Sequence, residues 1–101
     1  MYARKGEGMK GNRREDIYQD SEGWCKQQEN LALGDYYKLV YQDGHITWFA
    51  NTPTGWLGGL DNHEVVENED GTITVSPSIL VAAAGEKSWH GYLRQGEWSE
   101  V

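Results

Sequence analysis

One cysteine, two prolines and a single phenylalanine stand among 101 residues. With only Cys25 present, an intramolecular disulfide is excluded, and the usage fits a reducing compartment. No apolar run approaches the roughly 20 residues that cross a bilayer, so no membrane span is expected. Residues 1–14 contain no hydrophobic stretch of the kind a secretory signal needs. Aliphatic side chains are also scarce. Leu, Ile, Val and Phe total 18, a level that by itself points towards disorder. Five Trp and six Tyr reverse that expectation, because each ring buries far more area than an aliphatic side chain. The chain is of a size for one small domain with an aromatic core and modest stability.

Charge divides the chain. Residues 1–14 carry Arg4, Lys5, Lys10, Arg13 and Arg14 against Glu7, a balance of +4, and the remainder carries -11, for a net -7. The first fourteen residues have three glycines and little to bury, which reads as a flexible basic arm. Arg4, Lys5, Arg13 and Arg14 are its candidate contacts, to phosphate or to an acidic partner.

Residues 15–34 read as a short helical segment. Asp20 and Ser21 are good N-caps, Trp24, Gln28 and Leu31 share one helical face, and Gly34 stands where a helix ends. From Asp35 onward the texture is that of strands and tight turns. Tyr36–Tyr41 and His45–Phe49 flank Asp43-Gly44, a strong hairpin signal. Asn51–Gly59 reads as a loop, His63–Glu67 as a strand, and Asn68–Gly71 as a turn into alternating Thr72-Ile73-Thr74-Val75. Pro77 marks an edge or a kink before Ile79-Leu80-Val81. The last hairpin turns at Gln95-Gly96. The expected fold is mainly β, a small antiparallel sandwich or rolled sheet over residues 35–101 with one short N-terminal helix. Its expected core is Trp48, Ile73, Val75, Leu80, Trp89, Leu93 and Trp98.

Chemical motifs are few. Cys25 has no neighbouring histidine, and Ser76-Pro77-Ser78 lacks the glycines of a nucleophile elbow. His45, His63 and His90 stand apart, with none of the spacings of a zinc site. Pairing His90, His63 and Glu64 as acid and base has no spacing to support it. No catalytic residue, metal or cofactor is therefore expected. Asp61, Glu64, Glu67, Glu69 and Asp70 form an acidic cluster, either a charged hairpin edge or a docking surface for a basic partner. Trp56 lies among glycines and is the best single candidate for a contact.

The stretch Asp70–Val81, with Thr74-Val75-Ser76-Pro77-Ser78-Ile79, is followed by Trp89-His90-Gly91-Tyr92-Leu93-Arg94-Gln95-Gly96. Together these resemble a family of small uncharacterised bacteriophage proteins, over roughly residues 45–101. Typical members carry a zinc-type cysteine turn and a Cys-His pair. Here Thr52-Pro53-Thr54-Gly55 stands at that turn, Trp89 takes the second cysteine position, and only His90 remains. The resemblance implies a β fold whose zinc staple is replaced by aromatic packing. It also implies a phage protein working in the host cytoplasm or the virion.

The expected function is non-enzymatic, that of an acidic phage protein which binds another protein and inhibits a host or defence factor. The alternative is a virion-associated or self-assembling module that uses its basic arm, the one place where nucleic-acid contact is expected.

Overall fold

The structure is a computed structural model that describes residues 8–26, 28–81 and 88–101. Among the described residues ten strands form two sheets around one core. In chain order they are β1 (Gly8–Lys10), β2 (Asn12–Arg13), β3 (Ile17–Tyr18), β4 (Asp35–Val40), β5 (Ile46–Asn51), β6 (Leu57–Gly59), β7 (Glu64–Glu67), β8 (Ile73–Val81), β9 (Trp89–Arg94) and β10 (Glu97–Glu100). The first sheet runs β1-β10-β9-β8-β7, all antiparallel. The second runs β2-β4-β5-β6, with β3 also on β4. It is mixed, because β2 and β3 lie parallel to β4.

The three turns expected to make hairpins do so. Val40 pairs Ile46 across Asp43-Gly44, Glu67 pairs Ile73 across Asn68–Gly71, and Arg94 pairs Glu97 across Gln95-Gly96. In β8 the register shifts between Val75 and Ile79, where Pro77 lies. Between these pairs β8 has three residues, Ser76 to Ser78, against the single Tyr92 on β9. The surplus of two preserves the alternation of faces, so Ile79 and Val81 follow Ile73 and Val75 into the core. Leu80, expected in the core, is 66% exposed as a result. The other expected core residues, Trp48, Ile73, Val75, Trp89, Leu93 and Trp98, are buried, together with Tyr36, Ala50 and Leu60.

The expected helix over 15–34 is not found, and no helix occurs among the described residues. Ile17–Tyr18 is a strand instead. Asp20, read as a cap, closes a tight turn. Its carboxylate accepts the N–H groups of Glu22 and Trp24, and Gly23 reverses the chain at φ 88°. Beyond that turn the described residues up to Leu33 form no strand or helix, with Asn30 also at positive φ. Local bonding to the Asp20 side chain competes with helical bonding here and prevails. Part of the expected basic arm, residues 8–14, is described. Residues 8–13 are built into both sheets, while Arg4 and Lys5 lie outside the described residues.

The N-terminal strand changes sheet at Gly11. A Cβ there would lie 2.9 Å from the Gly34 and Gly96 carbonyl oxygens and from the Trp98 Nε1. Beside it the buried Trp98 indole N–H donates to the Gly34 carbonyl at 2.9 Å, tying β10 to the start of the second sheet. Trp89 packs edge-on to Trp98 at 5.4 Å, but its own indole N–H has no partner among the described residues. The two tryptophans therefore predict a contrast. Trp98→Phe removes the indole donor of a buried bond, a loss of about 1 kcal/mol beyond that of the smaller ring. Trp89→Phe carries no such added loss. In denaturant unfolding Trp98→Phe is expected to be the more destabilised variant by at least ~1 kcal/mol. Equal losses would show that the bond to Gly34 does not hold the sheets.

Candidate functional site

The richest surface is the corner where the chain leaves the second sheet for the first. Thr52 to Gly55 form a turn in which the Gly55 N–H bonds to the Thr52 carbonyl at 2.8 Å. The Thr52 hydroxyl accepts the Trp56 N–H at 3.1 Å and lies 3.3 Å from the Thr54 hydroxyl. Hydroxyls thus brace the turn at which the resemblance places zinc ligands. The turn presents Trp56 at 45% and Leu57 at 47% exposure. The stretch read from the sequence as a loop contains β6, which pairs with β5 from Leu57 to Gly59. Two adjacent glycines hid it, since they carry no side chain to alternate.

Two hollows flank β6. The inner one, about 90 Å³, lies between the sheets and is lined by Ala50, Trp56, Gly58, Leu60, Ile79 and Leu80, among others. The outer one, about 350 Å³, lies between Cys25, Lys26 and Gln28 and the outer face of the second sheet. Its lining includes Tyr37, Leu39, Phe49, Leu57 and Gly58, with Cys25 and Lys26 on the other side. Tyr37 and Phe49 are paired across β4 and β5, with their rings stacked at 5.4 Å. Burial pushes the Tyr37 phenol above its ordinary pKa, so the floor stays neutral. Gly58 borders both hollows.

Asp61, Glu64, Glu67, Glu69 and Asp70 are all exposed, but they do different work. Glu67 accepts bonds from Arg13 at 3.0 Å and Lys38 at 3.2 Å, and Arg13 also binds Asp16 at 3.0 Å. Both cations stand over the Trp48 ring, at 5.1 and 5.7 Å. The partners of Glu67 are 54 and 29 residues away, which no local reading of charge reveals. Burial acts to raise the Glu67 carboxyl, but the bonds and charges of Lys38 and Arg13 outweigh it and hold it below its ordinary value. The side-chain and backbone bonds of Thr72 likewise lower Asp70. Arg14, the second arginine of the expected arm, binds the buried Asp35 at 3.0 Å and the carbonyls of Glu29 and Asn30. Asp61, Glu64 and Glu69 are the remaining acids of the cluster.

Two of the three histidines, His63 and His90, meet at Ser78, named from the sequence only within the Ser76-Pro77-Ser78 stretch. The His63 Nε2 lies 3.3 Å from the Ser78 carbonyl, and the His90 Nε2 lies 2.9 Å from the Ser78 hydroxyl. The carbonyl can only accept, so His63 carries its proton on Nε2. That leaves a buried Nδ1 with no partner among the described residues. No group of three or more metal-ligating side chains occurs among those residues. Compared with protein families, with curated proteins and with solved structures, the chain matches none.

The lowered Glu67 carboxyl sets a pH dependence. A carboxyl held below its unfolded value of about 4.5 contributes stability above that pH and loses it as pH falls through the folded value. Thermal melts from about pH 6 to pH 3 are expected to fall less steeply for Glu67→Gln than for the native chain. Parallel curves would remove Glu67 from the acid response.

Proposed function

We propose that the protein acts by binding another protein, with Trp56 at the centre of the contact. The observation that carries this reading is the gathering of exposed apolar side chains at one corner. Trp56 and Leu57 stand exposed on and beside β6, and Leu80 lines the inner hollow with Trp56. Leu33, also exposed, reaches to within 3.4 Å of the Cβ position at Gly55. Exposed apolar side chains grouped in this way, with acids beside them, mark interaction surfaces rather than ordinary solvent faces. Asp61 and Glu64 follow directly in the chain, so the apolar centre has an acidic flank that favours a basic partner.

The resemblance of residues 45–101 to small phage proteins supports a host or defence factor as that partner, with inhibition as the outcome. Arg13 and Arg14 are occupied by Asp16, Glu67 and Asp35, so the described part of the basic segment adds little to a nucleic-acid or virion reading.

Trp56→Ala removes the central contact while leaving the core intact. It is expected to change stability by less than about 1 kcal/mol. A partner captured from bacterial lysate, identified and purified, is expected to bind the variant at least ~10-fold more weakly by calorimetry, the loss typical of a buried aromatic anchor. Equal binding by both proteins, or no partner at all, would count against this reading.

A further inference from the structure

The two sheets end differently. In an antiparallel ladder, alternate residues turn their N–H and C=O groups towards the neighbouring strand. The Thr52 N–H bonds to the Trp56 carbonyl, the Leu60 N–H bonds to the Trp48 carbonyl, and Gly58 pairs with Ala50. Residues 56, 58 and 60 therefore face β5. Leu57 and Gly59 turn their backbone groups to the other side, where no strand follows among the described residues. Edges of this kind are usually blunted by charge, proline or a covering segment. The edge strand β7 carries Glu64 and Glu67. By contrast β6 reads Leu-Gly-Gly, with no charge, and its glycines let another backbone approach closely.

The two hollows lie on opposite sides of this edge. Successive side chains of an extended chain point to opposite faces. A strand laid beside β6 would thus offer one side chain to the outer hollow, over the Tyr37–Phe49 stack, and the next to the inner one. Their sizes differ about fourfold, so the outer accommodates an aromatic ring and the inner a small aliphatic group.

We infer that the free edge of β6 accepts an extended strand of the partner protein, with an aromatic side chain in the outer hollow and a neighbouring aliphatic one in the inner. This rests on the protein-binding reading above and gives it a mode, backbone pairing with side-chain pockets for specificity. A foreign strand fits better than a second copy. Self-pairing brings together two chains of net charge -7, which repel each other. A partner strand bearing Lys or Arg instead gains from the adjacent Asp61.

The test uses the full chain and a displayed library of random nine-residue peptides. Enriched peptides are expected to carry an aromatic residue next to an aliphatic one, with Lys or Arg nearby. On binding a synthetic copy, the Leu57 and Gly59 amides are expected to exchange with solvent at least ~10-fold more slowly, since they gain hydrogen bonds. Leu57→Pro, which removes an outward N–H and spares the ladder, is expected to weaken binding at least ~10-fold. Leu57→Lys, which guards the edge with charge, serves if the proline variant melts early. Peptides that bind without protecting these amides, yet lose affinity in Trp56→Ala, would overturn strand addition and leave the protein-binding reading standing. A failure to enrich any peptide would also overturn it, the broader reading then resting on the captured partner alone. A dimer whose free state already protects both amides would assign the edge to a second copy and overturn the inference.

Discussion

The contact between the Trp98 indole and the Gly34 carbonyl governs much of this structure. It is buried and joins residues 64 apart in sequence, at 2.9 Å. Three elements meet there. The last strand supplies the indole, the entry to β4 supplies the carbonyl, and the N-terminal strand passes beside both at Gly11. A Cβ at Gly34 would lie 3.3 Å from the indole nitrogen and closer still to Met9, so the slot admits the ring only because both flanking residues are glycine. In a chain with few aliphatic side chains, one correctly seated tryptophan substitutes for several smaller contacts. Its consequences extend outward. Gly34 donates to the Asn51 carbonyl at 2.7 Å, and the Asn51 amide donates to Ala32 at 3.0 Å. The stretch before β4 is thereby pinned near the second sheet, and the residues preceding it form one wall of the outer hollow.

A second constraint is electrostatic. Arg13, Asp16, Lys38 and Glu67 form a connected set spanning both sheets, and the two cations lie against the Trp48 ring. Single exposed ion pairs contribute little, but a network on an aromatic face retains more of its attraction because water is partly excluded. The set also explains how a chain so unevenly charged holds together. Arg13 and Arg14 lie against Asp16, Asp35 and Glu67, so part of the apparent polarity of the sequence is cancelled on folding.

The features legible in the sequence are those decided locally. Asp43-Gly44, Asn68–Gly71 and Gln95-Gly96 each specify a turn through a few adjacent residues, and each hairpin follows. The aromatic core was legible as well, because there was little else to bury. Three features did not follow from residue type alone. Asp20 has the chemistry of a helix cap, but whether a cap starts a helix depends on the residues after it, and Gly23 turns the chain away. Leu80 and Ile79 are equally apolar, and the size of the irregularity at Pro77 decides which enters the core. Glu67 looked like one of five equivalent surface acids until Arg13 and Lys38 arrived from elsewhere in the chain. The exposure of Trp56 was legible from its glycine surroundings. The edge beside it was not, because adjacent glycines erase the alternation by which a strand is recognised.

The openness of that edge follows from the chain path. After Gly59 the buried Leu60 turns the backbone inward, and the next residues cross to the first sheet, where His63 lies beneath the Ser78 carbonyl. The chain that might have added another strand to the second sheet begins β7 instead. The β7 partner on β8 extends only as far as Ser76, so Ser78–Val81 also lacks a neighbour on that side among the described residues. Two incomplete edges, one from each sheet, therefore border the same inner hollow, with Trp56 and Leu80 around it. A sheet that merely needed to remain soluble would be expected to guard this position with charge, as β7 does. The two glycines here leave room for close approach by another backbone, which the charged β7 edge does not.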